Sequence, residues 1–356
     1  MKRSLLFYVH SFTGLVSGLF ILLMSLSGSV LVFHEELDRM AYPGIVTEKD
    51  KPVLPVDSFY HSLQKNYPRA QVSNCDIAAT INDPFTFTVY DSSYREGTKS
   101  MQVFLHPQTA AVLGTRGNSS DWKHNPLSWL SAFHNSFHLK RTGEWLLGFF
   151  AILFVISLVT GLIQYRHNIL AVISFRRRVF QKRNLHQLIG VYALLFNLMI
   201  AITGFWMQRY VFKKSFYAVQ VPYTRVLKAS PPLFFSVDSA LKELKKNYPL
   251  FDPYVIYFAQ SRKGTTAVYG SQESNSFIHS KKFADAVFLD STGHTAQTAF
   301  VNEISADNRY DIINSQIHLG RYGGWPVKLL YCIFGLSGAV LTITGSLLWL
   351  KRRKGK

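Results

Sequence analysis

Two pairs of histidines carry the chemistry that this sequence offers. His10-x-x-x-Gly14 is matched later by His186-x-x-x-Gly190. His138-Leu139-x-Arg141-x-Gly143-x-Trp145 is matched by His318-Leu319-x-Arg321-x-Gly323-x-Trp325. Of the 12 histidines, only these keep histidine in both copies of a matched segment. His134 falls opposite Asn314, His34 opposite Tyr210 and His167 opposite Lys351. A twofold axis makes equivalent positions face one another, so each pair would offer two imidazoles to one ion. Two imidazoles are too few for zinc, which takes three or four protein ligands. They suffice for a six-coordinate haem iron, because the porphyrin supplies the other four nitrogens. The pattern predicts two haems, with iron held axially by His10 and His186 and by His138 and His318. His134, one helical turn from His138, is an alternate ligand, and His34 is another.

Glycines flank these histidines at helical spacing. Gly14 and Gly190 follow His10 and His186 by one turn. Gly28 and Gly204 follow the same histidines by about five turns, which places them on the same face and about 27 Å deeper. Missing side chains on that face would let a flat macrocycle lie against the helix, although small residues also serve helix packing in membranes. Arg141 and Arg321 each stand three residues after an outer histidine. A guanidinium there suits a haem propionate, and an interfacial, snorkelling arginine is the other reading. Trp145 and Trp325 fit an aromatic belt at the bilayer surface. His61, His106, His279 and His294 have no metal-ligand spacing and read as surface residues.

The elements that must position these residues are apolar runs. Segments 11–33, 145–165, 185–208 and 329–350 are uncharged and each long enough to cross a bilayer as a helix. The chain is 48% hydrophobic, which excludes a disordered or collagen-like chain. Its net charge is +18. Most of that charge sits in three acid-free segments: Lys2 and Arg3; Arg166, Arg176, Arg177, Arg178, Lys182 and Arg183; and Lys351, Arg352, Arg353, Lys354 and Lys356. All three fall on one side of a four-span chain. The positive-inside rule makes that side the cytoplasm, with both termini there. The basic balance is thus a topology signal and gives no case for nucleic acid. The first span reads as an uncut anchor, since its apolar run exceeds a signal-peptide core and no A-x-A site follows. Cys75 and Cys332 fall in different environments and are not expected to pair.

Two long loops face the other side. In the first, Val56-Asp57-Ser58 opens a helix with Asp57 or Ser58 as N-cap, and Asn66-Tyr67-Pro68 ends it. In the second, Val237-Asp238-Ser239 and Asn247-Tyr248-Pro249 do the same. Phe85–Tyr90 alternates as a strand does, and Val103-Phe104-Leu105 is echoed by Val287-Phe288-Leu289. Thr160-Gly161 and Thr344-Gly345 close the two halves. The expected fold is a membrane α-helical protein, with four transmembrane helices as a tandem repeat and two small α+β extracytoplasmic domains. The expected segments are span 1 (1–39), outer domain 1 (40–133), span 2 (134–165), a basic cytoplasmic loop (166–184), span 3 (185–210), outer domain 2 (211–314), span 4 (315–350) and a basic tail (351–356).

His10-x-x-x-Gly14, then Ser27-Gly28-x-x-Leu31-Val32-Phe33 and Glu36-Leu37-Asp38, resembles the opening of PepSY-associated transmembrane proteins. The His-Leu-x-Arg-x-Gly-x-Trp block, leading into a span that ends Thr-Gly, resembles them as well. The likeness covers essentially the whole chain. It implies four spans, two PepSY-like outer domains and a bacterial inner-membrane location. Family members include di-haem reductases of ferric siderophores, and other PepSY proteins are linked to peptidase inhibition. The leading expectation is therefore a membrane-bound, haem-containing oxidoreductase of the ferric reductase type. Its acceptor would be a ferric siderophore or other ferric chelate on the outer side. No Gly-x-Gly-x-x-Gly opens a helix, so the electron donor would be a cytoplasmic protein or a quinol. The alternatives are a non-redox PepSY scaffold or peptidase regulator, and a proton-coupled transporter.

Overall fold

The computed structural model describes residues 5–42, 44–45, 47, 52–90, 100–117, 122–169, 182–213, 229–272 and 284–354. Lys2, Arg3, Arg176, Arg177, Arg178 and Lys356 lie outside the described residues. The chain divides into two units. One comprises 1–34, 130–220 and 314–356, and the other comprises 35–129 and 221–313.

The first unit is a helical bundle. Helix α1 (Leu5–Leu31) is followed, beyond the short α2 (His34–Met40) and α3 (Val56–Asn66), by α4 (Pro126–Ser136) and α5 (Lys140–Tyr165). Then come α6 (Lys182–Tyr192) and α7 (Leu194–Gln208). After α8 (Val237–Asn247) follow α9 (Ala306–Leu319) and α10 (Gly324–Lys354). By length and apolar composition, α1, α5 and α10 can each cross a bilayer. Their outward side chains, among them Phe12, Ile152 and Ile333, are exposed apolar groups, as a lipid-facing surface requires. The third apolar run is not one straight helix. It bends by 61° between α6 and α7 at Ala193, the geometry of a broken span or a re-entrant loop. Helix α1 packs on α5 and α10, α7 packs on α5, and α6 packs on α10.

The second unit corrects the expectation of two separate small domains. Four strands from each loop join in one antiparallel sheet, ordered β4-β3-β2-β1-β5-β6-β7-β8. They are β1 (Gln71–Asp76), β2 (Phe85–Tyr90), β3 (Ser100–Leu105), β4 (Val112–Arg116), β5 (Phe251–Tyr257), β6 (Thr266–Gln272), β7 (Asp285–Leu289) and β8 (Thr295–Ala299). The seam is β1 on β5, with Cys75 opposite Ile256. Pairing there removes the two inner edges that separate domains would expose. One face of the sheet carries Phe87, Val103, Ile256 and Val287, buried beneath Phe59 and Leu63 of α3 and Leu244 of α8. Cys75 and Cys332 are both free thiols, in different units.

The matched Val-Asp-Ser openings do become helix starts; α8 keeps its own cap, Ser236 Oγ accepting from Ser239 N–H at 3.2 Å, and the two aspartates reach across to each other's helix. Helix α3 has no side-chain cap of its own. Asp238 of α8 accepts from the backbone N–H of Val56 at 2.9 Å and of Asp57 at 2.8 Å. Asp57 in turn accepts from Val237 N–H at 2.8 Å and from the Ser236 hydroxyl at 2.6 Å. Each carboxylate satisfies the orphan donors, and opposes the dipole, of the other loop's helix. Replacing Asp238 with Ala should lower the stability of this unit by about 1–2 kcal/mol. Thermal unfolding of the detergent-solubilised protein would show it as a lowered midpoint, with Asp57→Ala giving a similar loss.

Candidate functional site

The bundle holds two sets of histidines. The residues that seat them follow one rule. His10 on α1 and His186 on α6 face each other, with ring centres 6.3 Å apart. His134 on α4 and His318 on α9 lie near enough to interact electrostatically. Each ring rests its Cε1 edge against a glycine on a different helix. A Cβ at Gly161 would stand 3.0 Å from Cε1 of His10, and one at Gly345 would stand 3.2 Å from that of His186. At Gly28 and at Gly204 the same test gives 3.0 Å, to His134 and His318 respectively.

The hydrogen bonds fix which ring nitrogen carries the proton. Thr344 donates its hydroxyl to the Val340 carbonyl at 2.6 Å, so its oxygen can only accept from Nδ1–H of His186, at 2.9 Å. Thr203 donates to Met199 O at 2.7 Å and accepts from His318 Nδ1 at 2.9 Å. Ser27 donates to Leu23 O at 2.7 Å and accepts from His134 Nδ1 at 2.8 Å. His10 gives its Nδ1–H to the backbone carbonyl of Ser157 at 2.9 Å, and a carbonyl can only accept. All four imidazoles thereby carry a proton on Nδ1, which leaves Nε2 as the nitrogen that can offer a lone pair. This is how metal-binding histidines are prepared, with the remote N–H held by a protein acceptor.

A cavity of about 330 Å³ opens beside the first pair. His10, His186, Gly14 and Gly190 line it, with apolar walls from Phe154, Leu158, Leu194 and Leu341. At Gly190 an added Cβ would meet only Leu341, at 3.7 Å, so the missing side chain leaves open room. Gly14 is tighter, with Ser157 Oγ at 3.1 Å. Among the described residues no group of three His, Cys, Asp or Glu side chains could hold a metal ion. What the bundle offers is pairs of imidazoles. The rings of His10 and His186, with centres 6.3 Å apart and planes at 70°, are the two imidazoles that would hold an ion at the first site. Beside the second pair, the side-chain carbonyl oxygens of Asn314 and Gln316 are buried without a donor.

One sequence expectation changes. His138 is not the partner of His318. It sits exposed in the turn after α4, with φ at 58° and its ring 6.2 Å from Phe133. His134, the alternate, takes the place beside His318. Gly28 and Gly204 stand against the imidazoles of His134 and His318. Gly161 and Gly345, which mark the ends of the two halves, do the same for His10 and His186. Arg141 lies in the first turn of α5, and Arg321 lies in the turn before α10 with its N–H on Gln316 O at 3.2 Å. His34 opens α2. Trp145 and Trp325 are exposed at the starts of α5 and α10, as an interfacial belt has them.

Residues 7–352 match the family model described as the PepSY-associated TM region. No curated protein matches the chain.

The seating rule predicts the protonation pattern directly. Nitrogen-15 spectra of histidine-labelled protein in bilayers at neutral pH should show four imidazoles as neutral Nδ1–H tautomers. Thr344→Val should release one of them, that of His186, into a mixture of tautomers and leave the others unchanged. An unaltered spectrum would show that the Thr344 hydroxyl does not hold that ring.

Proposed function

The chain belongs to the PepSY-associated transmembrane family, and we propose that it is a haem-containing oxidoreductase carrying electrons across the bacterial cytoplasmic membrane. Its acceptor is a ferric chelate of the siderophore class on the outer side, and its donor is a cytoplasmic protein or a quinol. In this reading the four apolar segments are a tandem repeat of spans, with the broken third run as one of them. The basic segments keep both termini in the cytoplasm, and the eight-stranded sheet faces outward. The observation that carries the proposal is the display of four imidazoles in two pairs, each with Nδ1–H bound and Nε2 available.

His10 and His186 would hold one b-type haem, and His134 and His318 the other. A bis-imidazole haem supplies reversible one-electron exchange without opening a coordination position. The chain's own residues supply the conditions for it. Ser27, Thr203, Thr344 and the Ser157 carbonyl orient the rings and raise the basicity of Nε2. Phe154, Leu158, Leu194 and Leu341 keep water from the inner pair. At the outer face, one-electron reduction lowers the charge by which hard oxygen ligands grip ferric iron, and the chelate loosens. A scaffold or peptidase regulator would have no use for four prepared imidazoles half-buried in an apolar bundle, where ionisable groups are costly and functional by default.

The test is an oxidised-minus-reduced spectrum of purified protein made under haem-replete conditions, with pyridine haemochrome quantitation. Two b-type haems per chain are expected. His10→Ala or His186→Ala should leave one, and His134→Ala or His318→Ala should leave the other. His138→Ala should keep both. Haem-free wild-type protein would overturn the proposal, and retention of both haems by the His134→Ala variant would overturn the outer ligand pair.

A further inference from the structure

Among the described residues lining the cavity beside His10 and His186, one carries a full charge, Arg352. From that residue, and resting on the haem reading above, we infer an anion-positioning role: Arg352 pairs with the propionate edge of the inner haem and sets which way round the macrocycle lies.

Helix geometry puts Arg352 on the right face. It follows Gly345, the seat of His186, by about two helical turns, so it projects from the same side of α10 toward the basic end. Arg352 is an exposed residue at the basic end of α10. Its guanidinium stacks over the ring of Phe7, at 4.8 Å from the centroid, and Phe7 is itself part of the cavity wall. It also lies near enough to His186 to interact with it electrostatically. The neighbouring Arg353 behaves differently, stacking on Trp349 at 4.6 Å, and is not in the lining.

The charge is one-sided. At the spacing that matches Gly161 with Gly345, Arg352 matches Asn168. No acid is among the described residues that line the cavity. A macrocycle with both carboxylates on a single edge, entering an apolar cavity with one cation, has one favoured orientation. The alternative buries carboxylates against apolar walls without a counter-charge, which is strongly disfavoured. The planar fork of arginine suits the task, because it can take both oxygens of a carboxylate. Removing the positive charge should also favour the more positive ferric state, so the midpoint potential of that haem should fall.

The experiment uses the haem-loaded protein in the His134→Ala background, which leaves only the inner haem. Arg352→Gln, Arg352→Lys and Lys351→Gln are compared by redox potentiometry and by the rate of haem transfer to an apo-globin scavenger. Arg352→Gln should lower the midpoint potential and speed haem loss by about tenfold, the scale of a lost charge-assisted hydrogen bond. Arg352→Lys should restore the potential and only part of the retention, since an ammonium lacks the fork. Lys351→Gln removes the same charge outside the cavity and should move neither. Wild-type potential and loss rate in Arg352→Gln would overturn the inference while leaving the haem reading intact. Should Arg352→Gln fail to fold, Arg352→Lys decides: faster loss supports the role and wild-type loss overturns it. Absence of haem from the wild-type protein would instead overturn the reading on which it rests.

Discussion

A neutral imidazole inside an apolar bundle must give its N–H to a protein acceptor, because no water is present to take it. That requirement organises the helices here. The acceptors of His134, His186 and His318 are hydroxyls that have already spent their own proton on the preceding helical turn. They can accept and cannot compete. Beside each of them stands a glycine, so the ring approaches the helix to contact distance. A Ser-Gly or Thr-Gly couple is therefore a seat. Helix α1 brings His10 at one end and the Ser27-Gly28 seat at the other. Helices α5 and α10 bring the seats for the first pair. A rotation of α1 would unseat two rings at once, and a rotation of α5 or α10 would unseat one.

Much of this was legible in the sequence. The apolar runs marked the spans, and His10 with His186 could be found from their matched spacing to Gly14 and Gly190. The outer pair was harder. The run His-Leu-x-Arg-x-Gly-x-Trp matches His138 with His318 by five identities, yet those identities lie in turns and helix starts. What a ring must match is depth along its own span. The separation from His134 to Gly161 equals that from His318 to Gly345, and the separation from His138 does not. That equality was present in the sequence. It was outweighed because short identities are easier to see than a constant offset between a ligand and a distant seat. The break at Ala193 had no such signal: neither proline nor glycine stands at the bend.

The sheet unit shows another limit. Each loop's helix and strand pattern could be read locally, down to the matched Asn-Tyr ends of α3 and α8. The union of the two halves could not. Pairing of β1 with β5 joins residues nearly two hundred positions apart, and nothing local distinguishes an edge strand from a seam. Asp57 and Asp238 read as caps of their own helices, because that is where a carboxylate near a helix start is usually spent. Their exchange became visible only when the two helix starts were brought together. A duplicated unit has this option open, since whatever caps one copy from within can cap the other from across.

The interior between the two histidine pairs bears on which chemistry the bundle supports. Phe20 of α1 stacks on Phe150 of α5 with centroids 3.5 Å apart. Asn197 of α7, buried, gives its amide N–H to Ser337 of α10 at 2.9 Å. These residues fall midway along their helices, between one seat and the next. The polar pair there satisfies itself, and no carboxylate stands with it. A transporter needs, at that level, groups that can let go of one another to take a substrate or a proton. An electron relay needs the opposite: a packed, dry middle that holds two redox sites at fixed separation and admits nothing else. The four histidines stand toward the two ends of the bundle, and its middle is filled by rings and a self-contained amide. That distribution favours electrons, which can pass through packed protein, over any cargo that must displace it.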